Sequence, residues 1–556
     1  MDLVVERVER WARGRADTPA FTYVAHGGGS TETLTWREID ARARGVAGRL
    51  REVARPGDRA AVLAPQGLGY VAAMLGAFYA GVVAVPLFPP GLPRHGERLA
   101  HILRDAAPVC ALTTSDAPGE AAAYVDRVLA VDTIPPGDAA RTPVDAGDVA
   151  YLQYTSGSTR APAGVVITHG ALTANAEQLA RAVNPAPGRA VAVSWLPLFH
   201  DMGLVLTLGM PAYGPYRSVF MDPVAFLMRP SRWLRLVSDE RDGEVFTAAP
   251  NFAYDLCADR VTPEERATLD LSGVRLFLNG AEPVRRTTVE RFTEAFAPAG
   301  LRPEAMCPAY GLAEATVYVS ADSPDRPPRA TAFDRDRLAA GTATGPEGGA
   351  VTYLMSCGRP VGQEVLIVNP VTGRVREPGG VGEIWVHGPN VARAYWGRDG
   401  SRGTFGATVD APGVPGGPWL RTGDLGVRYD GELYVTGRVK DLIIADGRNH
   451  YPQDIEATVQ DAHPALRRDR AVAFSVPGPE GECLAVVAER DRRAGETAPE
   501  EVARAVRRAV AEGHELRLHD FVLAEPGGVP RTSSGKIARA ACRRRYLDRT
   551  LEVAHA

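Results

Sequence analysis

The sequence predicts an α/β protein with a large N-terminal domain of stacked, mostly parallel sheets and a small α/β C-terminal domain. At 556 residues and 45% hydrophobic content, the chain has too much apolar material for one ordinary compact core. Apolar, β-rich segments alternate with helix-like stretches at the spacing of βα units. From residue 351 onward, short strands with Gly-rich turns predict a β-rich subdomain that closes the large domain. The predicted strands of the large domain include 60–63, 82–85, 190–195, 245–248 and 274–278.

One uncharged stretch could be a membrane span or a buried βα unit. Residues 69–90 carry no charge, and about twenty apolar residues are enough to cross a bilayer. The stretch is rich in Ala, Gly and Val rather than Leu and Ile. Gly81 is positioned to cap a helix over 69–80 before the β-branched run that begins at Val82. We therefore expect a helix followed by a buried parallel strand, and no membrane span.

A second α/β region is expected after Lys440. We place the domain boundary there, so that residues 1–440 form the large domain and 441–556 the small one. The polar, Pro- and Gly-rich piece at 321–350 is the best candidate for a surface insertion. Beyond the boundary, the predicted elements are helices near 452–462 and 500–512 and strands near 471–476 and 483–489.

Composition and charge exclude several classes of protein. The formal net charge is -4 and the sequence pI is about 6.3, whereas a general nucleic-acid binder carries a basic excess on one face. The six cysteines are scattered without a CxxC pair, so neither a disulfide framework nor a zinc site is expected. The N-terminal residues alternate charged and apolar side chains, unlike a signal peptide. A cytoplasmic location is therefore expected.

Lysine is rare in this chain. Of the 63 Lys and Arg residues, only Lys440 and Lys536 are lysine. A GC-rich coding bias would explain a general preference for arginine. A position that keeps lysine can nevertheless need a compact, flexible point charge rather than a planar guanidinium. Both lysines are therefore candidates for a functional role.

The strongest local motif is a Ser-, Thr- and Gly-rich loop from Tyr154 to Gly164, with the sequence YTSGSTRAPAG. Its hydroxyls and backbone N–H groups can wrap around phosphate oxygens. It is not a Walker loop, because no GK[ST] closes it. A loop of this composition standing alone could equally be a polar surface loop, so its interpretation depends on the rest of the chain.

Eight short motifs follow one another along the chain. They are YTSGSTRAPAGV at 154–165, LPLFHDMG at 196–203, NGAEPV at 279–284, AYGLAEAT at 309–316, GEIWVHGPNVARAYW at 382–396, RTGDLG at 421–426, GRVKDLI at 437–443 and RTSSGKIAR at 531–539. In order and spacing they resemble the adenylate-forming superfamily of acyl-CoA synthetases, peptide-synthetase adenylation domains and luciferases. The resemblance covers nearly the whole chain and implies a small C-terminal domain that is mobile.

The resemblance also implies an ATP site. Tyr310 is similar to the ring that stacks on adenine, and Asp424 to the carboxylate that accepts both ribose hydroxyls, with Arg438 alongside. Glu314 resembles a magnesium ligand, which suits a hard cation that prefers oxygen donors. The other implied contacts are Thr155, Ser156, Gly157, Ser158 and Thr159 at the β- and γ-phosphates, with Thr159 near the metal, and Gly280, Ala281, Glu282 and Gly311 along the nucleotide.

The implied chemistry is attack of a carboxylate on the α-phosphate of ATP, with pyrophosphate leaving. Two anions must meet, so the site has to offset negative charge and hold the groups in line. Lys536 resembles a residue that bridges both anions from a mobile C-terminal loop. His200 is similar to one that contacts the phosphates or shapes the acyl entrance, a packed histidine being the alternative. Lys440 matches the hinge that withdraws Lys536 after adenylation.

Within the superfamily, the closest resemblance is to fatty acyl-AMP ligases. The matching motifs are PLFPP at 86–90, LQYTSGSTRAPAGV at 152–165 and GRNHYPQDIE at 447–456. Acyl-CoA synthetases usually have lysines in the phosphate loop where this chain has Ala161 and Ala163. The segment at about 321–355 corresponds to an insertion that restrains the small domain and disfavours coenzyme A. One departure is Ala161, where the branch more often has a polar residue.

The resemblance implies a fatty acid substrate, ATP and Mg²⁺, and an acyl carrier protein whose phosphopantetheine thiol accepts the acyl group for lipid, polyketide or lipopeptide assembly. Because no carrier domain follows the small domain, the carrier is expected to be a separate chain. The alternatives are an acyl-CoA synthetase and a catalytically silent adenylate-binding or carrier-docking protein. Chain length stays open, and the acyl pocket is expected around 196–210, 226–234, 250–257 and 279–284.

Overall fold

The computed structural model describes residues 2–25, 31–90, 96–155, 162–186, 188–445, 448–478, 481–494, 497–531 and 536–553. Four of the predicted phosphate contacts, Ser156, Gly157, Ser158 and Thr159, lie outside the described residues. Thr155 and Pro162, which flank them, are described. Within the described ranges, no helix combines the length and the apolar character that a membrane crossing requires.

The strands of the described residues form six sheets. They are β1 Pro19–Val24, β2 Thr31–Thr35, β3 Arg59–Val62, β4 Val83–Pro86, β5 Cys110–Thr113, β6 Val128–Ala130, β7 Val149–Tyr154, β8 Gly164–Thr168, β9 Ala190–Ser194, β10 Arg217–Met221, β11 Glu244–Ala249, β12 Val274–Asn279, β13 Met306–Gly311, β14 Tyr318–Ala321, β15 Ala330–Asp334, β16 Val351–Met355, β17 Arg359–Pro360, β18 Glu364–Val368, β19 Gly382–His387, β20 Leu420–Tyr429, β21 Glu432–Arg438, β22 Ile443–Ala445, β23 Arg448–His450, β24 Leu466–Gly478, β25 Gly481–Arg490 and β26 Leu518–Ala524.

Two large sheets dominate the first 360 residues. One has nine strands in the order β17-β14-β13-β12-β11-β9-β10-β1-β2, and the other has six in the order β6-β5-β3-β4-β7-β8. Their inner pairings are parallel, with Thr247 opposite Phe277 and Val193 opposite Val219. The predicted α/β class with stacked, mostly parallel sheets is therefore confirmed. Because parallel strands end at a common edge, the carboxyl ends of β9, β11, β12 and β13 meet at one place, where α/β sheets usually bind ligands.

The remaining sheets are smaller. An antiparallel sheet of β18, β19, β20 and β21 follows the two large ones and forms the β-rich subdomain predicted from the Gly-rich turns. A three-stranded sheet of β24, β25 and β26 belongs to the C-terminal part. Two hairpins, β15 with β16 and β22 with β23, complete the described strands.

The α-helices cover the faces of these sheets. They are α1 Val4–Gly14, α2 Trp36–Leu50, α3 Leu68–Ala80, α4 Gly96–Ala106, α5 Pro118–Ala122, α6 His169–Val183, α7 Asp201–Leu204, α8 Met210–Tyr213, α9 Pro223–Met228, α10 Ser231–Asp239, α11 Asn251–Arg260, α12 Pro263–Arg266, α13 Arg286–Phe296, α14 Arg335–Ala339, α15 Arg402–Phe405, α16 Pro452–Asp461, α17 Pro499–His514 and α18 Arg539–Leu547. A π-helical turn at Val205–Gly209 joins α7 to α8.

The uncharged stretch is a buried βα unit, as the sequence predicts. Helix α3 ends at Gly81, which adopts a left-handed conformation with φ of 69° before β4 begins. This is the conformation that favours glycine at a helix C-terminus. A Cβ atom at Gly76 would lie 2.5 Å from Cγ1 of Val46, so the missing side chain lets α3 approach α2 closely. Tight helix packing explains the high Ala and Gly content.

The C-terminal part has a hydrophobic core of its own. Buried Ile455 and Val459 on α16 pack with Val486 on β25 and with Val502 and Val506 on α17. The predicted helices and strands after Lys440 correspond to α16, α17, β24 and β25, each within a few residues of its predicted limits. The domain boundary at Lys440 stays a prediction.

The segment proposed as an insertion contacts the C-terminal part directly. It contains the β15–β16 hairpin and α14, with Phe333 and Leu338 buried despite the polar composition. Arg335 donates a hydrogen bond to the carbonyl of Gly513, and Asn449 Nδ2 donates one of 3.2 Å to the carbonyl of Ala339. These contacts join α14 to α17 and β23. The limits of 321–355 for the insertion stay a prediction.

Candidate active site

A single cavity of about 380 Å³ brings most of the predicted site residues together. It opens at the carboxyl ends of the parallel strands and is also lined by the β-rich subdomain and the C-terminal part. The predicted residues on its wall are Thr155, His200, Gly280, Ala281, Tyr310, Gly311, Glu314, Asp424, Arg438, Lys440 and Lys536. Residues separated by up to 381 positions in the sequence thus share one surface. Their individual roles stay predictions.

The carboxylate of Asp424 is held by two partners from different elements. The phenol of Tyr310, near the end of β13, donates a 2.8 Å hydrogen bond to Oδ2. Arg438 lies opposite Asp424 in the β20–β21 pairing, and its Nε donates a 2.9 Å bond to Oδ1. The charge of Asp424 raises the pKa of Arg438 above its ordinary value. Each carboxylate oxygen keeps a further lone pair with which it can accept a hydroxyl.

A strained turn follows β13. A Cβ atom on Gly311 would lie 1.7 Å from the carbonyl oxygen of Val317, so only glycine fits there. Thr316 has φ of 67°, and its hydroxyl donates a 2.7 Å hydrogen bond to the carbonyl of Asn390. Such backbone conformations persist where the surroundings over-determine them, commonly at functional sites. The turn fixes the short helical segment that carries Glu314.

Glu314 is held in place at the wall of the cavity. Its backbone carbonyl accepts a 2.8 Å bond from the N–H of Ala392, and its Oε1 accepts a 2.7 Å bond from the Tyr395 hydroxyl. Burial raises the pKa of the Glu314 carboxyl. No group of three or more His, Cys, Asp or Glu in the described part of the chain could hold a metal by itself. A single carboxylate fits magnesium, which is commonly bound by one or two carboxylates together with substrate phosphates.

Lys536 and His200 meet around Asp201, a residue that the sequence analysis did not assign. His200 Nδ1 lies 2.6 Å from Asp201 Oδ1. Burial opposes ionisation of Asp201, but His200 and Lys536 outweigh it and lower its pKa to about 2. Burial lowers the pKa of Lys536, whereas the negative charges of Asp201, Glu282 and Asp424 raise it. Of the described site residues, Glu282 alone does not line the cavity, and it acts on Lys536 through its charge.

The cavity continues into an apolar branch between α6 and the nine-stranded sheet. The π-helical turn lies along this branch, and π-helical segments are frequent at functional sites. The lining of this branch is mostly apolar, with Thr247 and Tyr318 as the polar residues beside it, and an apolar lining suits an alkyl chain. Its lining residues are Leu179, Val183, Met202, Val205, Leu206, Met210, Phe246, Ala248, Leu276, Leu278 and Val317.

Two of the four segments expected to form the acyl pocket line this cavity, and two do not. Residues in 196–210 and 279–284 line the cavity, but among the described residues none in 226–234 or 250–257 does. The aromatic rings there pack into the core instead, with Phe226 stacked on Trp195 at 3.9 Å and Phe252 at its edge at 6.1 Å. Large aromatic residues fill the space there, so these two segments do not line the cavity, and the position of the acyl pocket stays a prediction. The sequence analysis did not assign α6 to the wall of this cavity. The apolar residues of α6 could have indicated it.

Two family models together match most of the chain. A model described as AMP-binding enzyme matches residues 8–396, and one described as Disco-interacting protein 2-like, AMP domain, matches residues 440–556. The gap between the two matches contains β20 and β21 of the β-rich subdomain, whereas β18 and β19 lie within the first match. Because the first match alone covers more than half of the chain, the AMP-binding family is shown.

Comparison with curated relatives and solved structures identifies the branch of the superfamily. The chain is 45% identical to a long-chain-fatty-acid–AMP ligase, FadD26, of Mycobacterium marinum over 96% of this chain and 95% of the relative. It is 42% identical to the long-chain-fatty-acid–AMP ligase FadD32 of Mycolicibacterium smegmatis, covering 99% and 95%. A solved structure from work on fatty acyl-adenylate ligases of E. coli and L. pneumophila matches with a TM-score of 0.87 and 33% identity, covering 99% and 98%. This chain therefore belongs to the fatty acyl-AMP ligases, a branch of the adenylate-forming enzymes.

Proposed function

We propose that this enzyme uses ATP and Mg²⁺ to convert a fatty acid into its acyl-adenylate, and then passes the acyl group to the phosphopantetheine thiol of a separate acyl carrier protein. In the first step a carboxylate oxygen forms a bond to the α-phosphorus, and the bond between that phosphorus and the β-phosphate oxygen breaks. Pyrophosphate leaves with the electron pair of the broken bond. In the second step the thiol sulfur replaces AMP at the acyl carbon and loses its proton.

The observation that carries the proposal is the position of Lys536. It lies on the wall of the cavity together with Asp424 and Arg438, while the apolar branch leads away from the same region. An ammonium group there can offset the charge of a fatty acid carboxylate and an α-phosphate as they meet. Burial lowers the pKa of Lys536, and the charge of Asp201 opposes that lowering. This arrangement supports Lys536 as the residue that brings the two anions together.

The remaining polar groups support a nucleotide next to Lys536. Asp424 can accept ribose hydroxyls while Tyr310 and Arg438 hold its carboxylate in position. Glu314, and Thr159 from the loop, would hold magnesium, which would supply positive charge to the phosphate oxygens. His200 borders the region between the phosphates and the apolar branch. These side chains would bind and orient the two substrates. The first step requires no proton transfer.

The contacts of α14 support a carrier protein as the acyl acceptor. Hydrogen bonds from Arg335 to the carbonyl of Gly513, and from Asn449 to the carbonyl of Ala339, tie the insertion to the C-terminal part. A turn of that part about Lys440 would have to break them. We propose that this restraint disfavours coenzyme A, and that docking of a carrier protein supplies the energy to overcome it.

Mass spectrometry of one set of reactions tests both steps. The purified enzyme is incubated with ATP, Mg²⁺ and a panel of fatty acids, alone, with coenzyme A, or with a phosphopantetheinylated carrier protein. We expect acyl-adenylate that accumulates, ignores coenzyme A and disappears when the carrier becomes acylated. Rapid formation of acyl-CoA would instead identify an acyl-CoA synthetase. Nucleotide binding without pyrophosphate release would identify a catalytically silent protein.

A further inference from the structure

We propose that Arg98 and Arg398 bind the pyrophosphate end of ATP from the two sides of the phosphate loop. The inference rests on the proposed ATP-dependent adenylation and assigns two binding residues that lie outside the eight motifs or at their edge. Between Thr155 and Gly164 the loop carries one basic residue, Arg160. Pyrophosphate leaves with several negative charges, so one loop arginine is a weak match for it. Further cations are needed close to the loop.

Arg98 reaches the first residue of the loop from α4. Its Nη2 donates a 3.1 Å hydrogen bond to the backbone carbonyl of Thr155, and its guanidinium carbon lies 5.9 Å from the ring centre of Phe88. The carbonyl is neutral, so this bond leaves the positive charge of the guanidinium in place. Burial lowers the pKa of Arg98, which indicates a site of reduced solvation. An anion is attracted more strongly there than at an open surface.

Helix α4 is fixed to the strand that leads into the loop. Asp105 lies seven residues after Arg98, about two helical turns, and therefore on the same face of α4. Its Oδ2 accepts a 2.6 Å hydrogen bond from the hydroxyl of Tyr154, the last residue of β7. One face of the helix thus contacts two consecutive residues at the start of the loop. Arg98 is positioned by this pair of contacts rather than by its own bond alone.

Arg398 lies at the other end of the loop. Its Nη2 donates a 3.2 Å hydrogen bond to the carbonyl of Pro162. The residues just before Arg398 pair with β8, since the N–H of Trp396 donates a 2.7 Å hydrogen bond to the carbonyl of Gly164, the first residue of that strand. Tyr395 in the same segment donates to Glu314. Arg398 is therefore tied to the end of the loop and to the expected magnesium ligand.

The two arginines lie on the wall of the cavity that also contains Lys536 and Arg438. Arg438 forms its ion pair with Asp424, and Lys536 lies near Asp201, so these two cations belong to the ribose and acyl sides. Arg98 and Arg398 put positive charge on the side of the loop. Guanidinium groups suit this task because they can donate two parallel hydrogen bonds to a phosphate.

Substitution by glutamine removes the charge and, because the side chain is shorter than arginine, also the hydrogen bond from Nη2 to the loop carbonyl. Two KM values, for pyrophosphate and for acyl-adenylate, separate a loss of pyrophosphate binding from a general distortion of the site. The assay is pyrophosphate-dependent ATP formation from acyl-adenylate, with the KM measured for inorganic pyrophosphate and for acyl-adenylate. Because a hydrogen bond between charged groups is worth about 1.5–3 kcal/mol, we expect Arg98→Gln and Arg398→Gln each to raise the KM for pyrophosphate about tenfold or more. The KM for acyl-adenylate should stay within about twofold.

Arg104→Gln on α4 and Arg402→Gln on α15 are the matched controls, because neither residue lines the cavity within the described part of the chain. Arg98→Lys should recover part of the lost pyrophosphate affinity. An unchanged KM for pyrophosphate in both glutamine variants would overturn the inference. So would a parallel rise of both KM values with a lower thermal midpoint, which would identify a purely structural brace. If the wild-type enzyme forms no ATP in this assay, the proposed function itself fails.

Discussion

The hydroxyl of Tyr310 and the carboxylate of Asp424 are joined by a 2.8 Å hydrogen bond across 114 residues of sequence. The bond is buried, and Arg438 completes the group from the other carboxylate oxygen. Tyr310 therefore has two functions if its ring also stacks on adenine: it supports the base with its face and orients the ribose acceptor with its hydroxyl. Removing the hydroxyl alone separates these functions.

Tyr310→Phe keeps the ring and removes the bond to Asp424. We expect the KM for ATP to rise about tenfold or more, as for loss of one hydrogen bond to a charged group, while kcat changes less. Steady-state pyrophosphate release measures both constants. Tyr434→Phe, which removes a buried hydroxyl that pairs with Thr331 outside the cavity, is the control. An equal loss in both variants would mean a general packing effect.

Glu314→Gln should make the enzyme dependent on much higher magnesium concentrations. The amide keeps the shape and can still accept the bond from Tyr395, but it lacks the charge that a hard cation prefers. We expect about a 100-fold loss of adenylation at low millimolar Mg²⁺. A magnesium titration of pyrophosphate release measures the shift. Tyr395→Phe should cost less than about tenfold, and an unchanged titration in Glu314→Gln would remove the carboxylate from the metal site.

Lys536→Ala should abolish adenylation with little effect on stability. Loss of one preorganised charge in a transition state costs about 100- to 1000-fold, whereas the side chain contributes little to the hydrophobic core. Pyrophosphate release and the thermal midpoint are the two measurements. Arg544→Ala, an exposed residue on α18, is the matched basic control. Near-normal release by Lys536→Ala would refute the assigned role.

Shortening the segment 331–350 should raise activity with coenzyme A. The deletion removes α14 and with it the bonds to Gly513 and Asn449 that we propose restrain the C-terminal part. The single variant Arg335→Ala should have the same effect in a weaker form, without the risk of misfolding. Acyl-CoA formation is measured against acyl-adenylate formation. If the ratio of the two products does not change in either variant, the restraint explanation is wrong.

Mild acidification should stabilise the fold through Asp454, a residue of α16 that interacts with Arg335 of the insertion. Burial raises the pKa of Asp454 to about 6, although the charge of Arg335 and a hydrogen bond with Thr352 both act to lower it. The folded state therefore binds a proton more tightly than the unfolded state, whose pKa is near 3.8. The stabilising contribution is complete below about pH 4 and is lost as the pH rises through 6. The neighbouring His514 has its pKa lowered from 6.5 to about 4 by burial, so its contribution has the opposite sign and stability is lost as the pH falls from about 6.5 towards 4. This contribution is present in the wild type and in an Asp454 variant alike.

Asp454→Asn tests this titration. The amide cannot ionise, so the variant should be more stable than the wild type at pH 7 by up to about 3 kcal/mol, and the difference should shrink to roughly half of that at pH 5. Thermal unfolding of both proteins across this range gives the difference curve. Acidic surface residues contribute equally to both proteins and cancel. A constant difference would show that Asp454 does not titrate in this range.

The sequence predicted the elements whose pattern is local. The helix over 69–80, its glycine end and the following strand could be read from composition and periodicity, because a buried helix excludes charge and a left-handed end requires glycine. The parallel sheets followed from the regular βα spacing. The motifs identified by resemblance selected most of the cavity wall, including Tyr310, Asp424 and Lys536, although they could not give the distances between them.

Only the tertiary structure decided which side chains meet. Asp201 and Lys536 approach each other across 335 residues of sequence, and Arg98 reaches the loop because α4 packs against β7. The apolar branch of the cavity also depends on how distant segments pack. Segments 226–234 and 250–257 contain the apolar residues that a pocket needs, but their aromatic rings fill the core, and α6 forms the wall instead. Hydrophobicity specifies that a residue is buried, whereas the packing of neighbouring volumes decides whether it faces a core or a cavity.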